Sequence, residues 1–323
     1  MSFYRKVYPV SWRTIFGNYQ LLFFGLFASI LGFHEIKILF NLNDTSPDFL
    51  SSTIMNWAKI FFMFASSSLT WNNFSGFLAT FGIFIIFAIA TVLVVSSQGA
   101  LIKAAIKTSN KKEKLPFLEY LRAGVEKFWP LLGLNIINTL LGYFFVILVI
   151  DPLIYFLANQ ADWLIYIILA TVTFFILLPI VIIISFVTRY GAAYIVLKNQ
   201  KFSEAFTNSW LLFKTHWILT IENAILLMII TTVFYLIIIS ALVFTFTPFL
   251  ILSTFMAFSP LIFWLTLTIG GLLGIIIFLG GTAFFGAFYN LVWAYTFIEI
   301  TGKIRPYSKV HRLAHKHLPR LTR

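Results

Sequence analysis

Few residues of this chain could do chemistry, and the informative ones are polar side chains set inside apolar runs. Glu222 and Asn223 follow Trp217 in a run that stays largely apolar to Phe246. Counting from Trp217 at 1.5 Å per residue puts Glu222 about 7–8 Å into that span. A lone carboxylate at such depth costs about 2.5–3.5 kcal/mol on the insertion scale. It must therefore be protonated, hydrated or paired. Asn135 and Asn138 share a face of another apolar run, and Arg189 stands near the end of a third. The expectation is an intramembrane polar cluster of Glu222, Asn223, Asn138, Asn135 and Arg189 facing the bundle interior, with Asn290 and Glu299 near the same end of the last run. Its plainest role is interhelical hydrogen bonding, worth only about 0.6 kcal/mol per bond. A binding site is the sharper alternative.

Other chemistry is thinly represented. There is no cysteine, so thiolate catalysis and cysteine metal sites are excluded. No G-x-S-x-G, H-E-x-x-H, P-loop or dinucleotide fingerprint occurs. The expectation is no enzyme, no cofactor and no metal. His311, His315 and His317 include one i, i+4 pair, but Arg312, Lys316 and Arg320 beside them repel a cation. The segment 303–323 reads instead as a basic tail, with Lys303, Arg305, Lys309, Arg312, Lys316 and Arg320 as candidate contacts to anionic lipid headgroups. The same charge is explained by topology, so nucleic acid is not expected as a partner.

The elements that must hold these residues follow from composition. Of 323 residues, 60% are hydrophobic and 11% charged, with a mean hydropathy of +0.94, against about 25% charged in soluble domains. That defines an all-α, polytopic integral membrane protein. Apolar runs place spans at 19–40, 77–98, 129–150, 163–190, 217–246 and 262–299 within a membrane domain of 1–302. The first is too long for a signal peptide and is expected to remain. The run Ile54–Phe64 is too short to cross about 30 Å of hydrocarbon and is expected at an interface. So is the stretch between Thr247-Pro248 and Ser259-Pro260. Leu261–Ile300 would reach about 60 Å as one helix, and the absence of a charge or turn cluster favours one helix over two. Gly270, Gly274, Gly280 and Gly281 give it a small-residue seam.

Of the 23 Lys and Arg, all but Lys37 and Lys59 fall on one side of this arrangement, so both termini are expected in the cytoplasm and the number of spans is even. A unit also recurs. Phe202, Phe206, Trp210, Phe213 and Trp217 form a stripe at helical spacing, matched by Phe117, Leu121, Val125, Phe128 and Leu132 and by Tyr4, Tyr8, Trp12, Ile15 and Tyr19. Ser11-Trp12 matches Ser209-Trp210, and Gly-Ala pairs stand at 99, 191 and 286. The reading is repeated helix pairs with a cytoplasmic collar of amphipathic helices, one of them opening at Pro116 and another capped by Ser203.

At Arg189-Tyr190, Ser203-Glu204-Ala205-Phe206 and Ser209-Trp210 the chain resembles a loose group of bacterial six-span membrane proteins. These are the YciC-like proteins and the membrane domain attached to some glycerophosphodiester phosphodiesterases. The resemblance implies an inner-membrane protein without the phosphodiesterase barrel, since only the short basic tail follows Ile300. The function expected is non-catalytic organisation of lipid or of a membrane-protein partner. The rival is a transporter for an amphiphile or small solute. A polar cavity open to one side would favour transport, and a dry core the scaffold.

Overall fold

The computed structural model describes residues 3–29, 74–109, 115–145, 148, 163–255 and 259–302, and every element among them is a helix. Helix α1 (Phe3–Gly17) turns through Asn18 into α2 (Gln20–Ser29), where the Leu21 N–H donates to the Asn18 carbonyl at 3.1 Å. Then follow α3 (Phe74–Ser109), α4 (Phe117–Val125), α5 (Phe128–Phe145), α6 (Trp163–Lys198), α7 (Phe202–Phe255) and α8 (Pro260–Ile300). Helices α3, α5, α6, α7 and α8 are long and apolar enough to cross a membrane, and α2 is a shorter apolar helix. The expected first span beyond Ser29, the interfacial run at 54–64 and the basic tail with its histidines and lipid contacts lie outside the described residues, as does the loop at 151–162.

Helix ends follow local chemistry. Pro116 precedes α4 in extended conformation, and Pro260 sits in the first turn of α8, where its missing N–H costs nothing. Helix α6 stops at Lys198 because Asn199 takes a left-handed φ of 55°, a conformation Asn tolerates better than most residues. The Asn199 side-chain oxygen accepts from the Lys127 ammonium, which ties this end to the α4–α5 turn. Ser203 is not the cap of α7. The helix already starts at Phe202, with the Ala205 N–H donating to the Lys201 carbonyl at 2.9 Å, so Ser203 lies in its first turn. A kink at His216 (φ −126°, ψ 29°) separates the start of α7 from the apolar run that follows.

Two expectations about length are settled. Leu261–Ile300 is one helix of 41 residues with Pro260. The stretch after Thr247-Pro248 does not break away, because α7 continues through Pro248 to Phe255. Proline in an apolar helix forfeits one backbone bond, a cost that membrane helices commonly absorb. Helices α7 and α8 pack antiparallel along the glycine seam. A Cβ on Gly270 would meet Phe249 Cβ at 2.7 Å and one on Gly281 would meet Ile238 Cδ1 at 2.6 Å, whereas Gly271 and Gly280 face open space.

The core gathers at one end of the molecule, hereafter the packed end. Its buried residues include Leu21 and Phe24 of α2, Leu131 and Leu134 of α5, and most residues within Val95–Ala105 of α3, Val187–Val196 of α6 and Phe285–Ile300 of α8. Backbones touch there. A Cβ on Gly25 would press into the Ala283 carbonyl, one on Gly286 into the Gly25 carbonyl, and one on Gly124 into the Ser96 carbonyl. Only glycine allows α2 to cross α8, and α3 to cross α4, this closely.

The three sequence stripes sit mostly beside the packed faces, with Ile15 and Phe213 buried on them. In α1 the buried residues are Phe3, Val7, Ser11, Thr14 and Ile15, in α4 Tyr120 and Gly124, and at the start of α7 Ala205, Ser209 and Phe213. Most of these stand one residue ahead of the predicted positions. Small side chains let each helix lie close to the bundle, which leaves Trp12 and Trp210 about half exposed, at 48% and 49%.

Candidate functional site

Where α2, α3, α5, α6 and α8 converge, a partly open cavity of about 50 Å3 remains. Its polar lining is Gln98, Asn135, Asn138, Thr188, Arg189 and Asn290, backed by the rings of Tyr289 and Trp293. The Asn135 amide donates to Gln98 Oε1 and to the Leu131 carbonyl, each at 2.9 Å. Asn290 donates to the Gly286 carbonyl at 2.8 Å. The Arg189 guanidinium carbon lies 4.8 Å from the Tyr289 ring centre and 5.0 Å from that of Trp293. A cation between two aromatic faces is held by their quadrupoles and needs less water to stabilise it. Among the described lining residues Arg189 is the one cation, and none is a carboxylate.

The predicted cluster is therefore divided. Asn135, Asn138 and Arg189 meet at this cavity, but Glu222 and Asn223 do not line it. They face α1 instead. The Tyr4 hydroxyl donates to Glu222 Oε2 at 2.5 Å, and the Tyr8 hydroxyl donates to Asn223 Oδ1 at 3.0 Å. The physical reason is packing of the N-terminal helix onto α7 and α8. Thr14 exchanges a 2.8 Å hydrogen bond with Tyr295, and the Lys6 ammonium reaches Glu299 at 2.6 Å. Burial first, and then the bond to Glu222, pushes the Tyr4 hydroxyl above the ordinary tyrosine range, and burial does the same to Tyr8. The two polar groups are neighbours through α6, where Tyr190 bonds Thr220 of α7 at 2.8 Å while the adjacent Arg189 faces the cavity.

Sequence reasoning missed Gln98, Tyr289 and Trp293. Gln98 had a signal, being an amide inside an apolar run directly before the Gly99-Ala100 pair. The two aromatics had none, since rings are common throughout the chain. Comparison of the chain with protein-family models, with curated proteins and with solved structures returns no match.

Proposed function

We propose that this is a six-span, non-catalytic protein of the inner membrane that binds or organises lipid, with both termini in the cytoplasm. The transporter rival shares the polar cavity, so what supports binding over transport is the cavity's small size, about 50 Å3, together with the exposed apolar surface of the helices that line it. Those helices continue into segments whose apolar side chains are exposed, such as Phe81–Ile89 of α3 and Leu272–Ile276 of α8. Only the polar tip of a headgroup fits the cavity, with the lipid's chains left to run along those segments. Sixth-span status is reserved for α2 and the residues after it, and the charge asymmetry sets the orientation. The repeat is supported by matched environments. Ser11 and Ser209 are both fully buried beside half-exposed tryptophans, and Ala100, Ala192 and Ala287 are buried next to glycines at 99, 191 and 286. This reading keeps the YciC-like resemblance as its family proposal.

Two measurements test it. A reporter fused after Arg323 should register in the cytoplasm and one inserted near Asn159 outside, and the reverse pattern would overturn the orientation. Native mass spectrometry of the purified chain should show retained lipid. Complete loss of lipid under gentle activation would sink lipid binding. Transport of an amphiphile is the second reading, favoured by the existence of a polar cavity. Accelerated transbilayer exchange of a fluorescent lipid analogue in proteoliposomes would select it over a binding role.

A further inference from the structure

We infer that the C-terminal end of α1 is a membrane-surface element: it seats Trp12 and Phe16 at the edge of the hydrocarbon and presents Arg13 to anionic headgroups of the leaflet at the packed end. This is separate from the cavity and rests only on the long helices crossing a bilayer. Helix α1 has two faces. Phe3, Val7, Ser11, Thr14 and Ile15 are buried against the bundle, and the opposite side carries Trp12, Arg13 and Phe16, all exposed. At about 100° per residue Trp12 and Phe16 stand about 40° apart, with Arg13 about 60° beyond Phe16. An aromatic edge adjoins a basic one. That is the arrangement of helices lying where apolar chains meet charged headgroups.

The level of this edge is set by α8. Trp12 packs on Phe284 and Phe288, with ring centres 4.9 and 6.2 Å away, and Phe16 packs on Phe284 at 5.7 Å. Towards the other end of α8, Trp264 is 66% exposed. The rise from Trp264 to Phe284 is about 30 Å at 1.5 Å per residue, which is the thickness of bilayer hydrocarbon. Tryptophan favours both boundaries of a bilayer, and α8 carries no charge between these levels. Its first charged residue, Glu299, lies about 22 Å past Phe284 and is held by Lys6 near the start of α1. Helix α1 therefore climbs α8 toward the bilayer, leaving Arg5 below and bringing Arg13 up to the surface. Among the described residues no carboxylate pairs with Arg13, and an anionic leaflet supplies the counter-charge. On this placement Asn290 of the cavity lies about 9 Å past Phe284, at headgroup level.

The test uses the full chain, which has no cysteine of its own, labelled with a fluorophore at Phe16→Cys and reconstituted in an equal mixture of phosphatidylcholine and phosphatidylglycerol. Lipids with a nitroxide on the acyl chain should quench the label, and aqueous iodide should not. The same label at Trp12→Cys repeats the measurement should Phe16→Cys fold poorly. A label at Arg5→Cys should show the reverse, as should one at Met228→Cys, which is 62% exposed on α7 and six residues from Phe234, a ring that packs on Phe284 at 5.8 Å. Nitroxide phosphatidylglycerol should be preferred over nitroxide phosphatidylcholine at the Phe16→Cys label by about fivefold, the weight of one basic residue at a membrane surface. Arg13→Gln should abolish that preference, Arg13→Lys should keep it, and Arg5→Gln should change it little. Iodide quenching at both Phe16→Cys and Trp12→Cys without nitroxide quenching would take α1 off the membrane. Nitroxide quenching at Arg5→Cys or Met228→Cys as strong as at Phe16→Cys would sink the packed end into the hydrocarbon and overturn the level. Equal quenching by the two lipids, or a preference unchanged by Arg13→Gln, would overturn the anionic contact. Loss of retained lipid in native mass spectrometry, with these quenching patterns intact, would instead fail the cavity reading alone.

Discussion

Helix α8 behaves as two helices joined end to end. From Thr282 to Ile300 most residues are buried, including Phe285, Leu291, Trp293 and Phe297, whereas between Leu261 and Gly281 the buried ones are Thr266 and Gly270. Helices α3 and α6 divide the same way, with Val94–Ala105 and Ser185–Val196 largely buried and Ile83–Ile89 and Phe174–Ile176 exposed. Both halves are apolar, so hydropathy does not separate them. At their contacts the packed halves carry small and hydroxyl side chains, Ser96, Ser97, Gly99 and Ala100 on α3, Ser185, Gly191 and Ala192 on α6, and Thr282, Ala283, Gly286 and Ala287 on α8, although α8 carries Gly270, Gly271, Gly274, Gly280 and Gly281 in its exposed half as well. Lipid tails are as apolar as leucine, so helices in a bilayer gain by close packing rather than by leaving water. Small residues permit that approach. Hydropathy marks what must avoid water, and a small residue permits contact with protein without securing it, as Gly271 and Gly280 show.

The largest test of this contrast exchanges the same atoms at the two ends. Gly25→Ala and Gly286→Ala each drive a methyl group into backbone that cannot turn aside, so each should cost at least about 1–3 kcal/mol, and more if α2 and α8 must part. Gly271→Ala and Gly280→Ala meet nothing within 4 Å and should be neutral or stabilising by about 0.5–1 kcal/mol, from the helix preference of alanine. Unfolding of the purified variants in detergent measures both. Equal shifts for Gly25→Ala and Gly280→Ala would erase the distinction between the ends.

Removing volume should show the same asymmetry with a smaller span. Leu291 is fully buried and Leu272 is 56% exposed. Leu291→Ala should cost about 2–5 kcal/mol through the cavity it leaves, and Leu272→Ala no more than about 0.5 kcal/mol. A Leu272→Ala loss as large as that of Leu291→Ala would mean that the exposed half is covered by protein, as it would be in an oligomer.

The sequence made the long helices legible because uninterrupted apolar runs leave few choices, as in Leu261–Ile300, which forms one helix. The faces were less legible. An aromatic stripe such as Tyr4, Tyr8 and Trp12 has a strong helical period, but period gives spacing and not which neighbour a helix meets. The bundle chose the smaller residues one position away. Pro248 does not interrupt α7, because its backbone penalty, decisive in water, is absorbed in an apolar helix. The polar cluster was half legible for a related reason. Depth along each run brought Asn135, Asn138 and Arg189 to one level, but depth says nothing of azimuth. Rotation about α7 turned Glu222 and Asn223 toward α1 instead, where Tyr4 and Tyr8 supplied the partners.

The smallest effect expected is at that α1 contact, and it sharpens the comparison by asking whether the packed end depends on its N-terminal helix. Tyr8→Phe removes one hydrogen bond to Asn223 and should cost about 0.5–1.5 kcal/mol at neutral pH, and Tyr4→Phe somewhat more because its acceptor is a carboxylate. Alkaline pH gives a second readout. Both hydroxyls have their ionisation raised above the ordinary value of 10.0, Tyr4 by burial and by Glu222, Tyr8 by burial. As pH rises past that value the unfolded chain releases these protons while the folded chain keeps them, so the unfolded state binds fewer protons and stability falls. The contribution is present in full below about pH 10 and is lost on going above it. Unfolding midpoints measured from pH 8 to 11 should therefore decline in the wild-type chain, and the decline should flatten in the Tyr4→Phe, Tyr8→Phe double variant. An identical decline in the two proteins would show that α1 does not hold the packed end through these hydroxyls, and would leave the glycine crossings as its principal fastening.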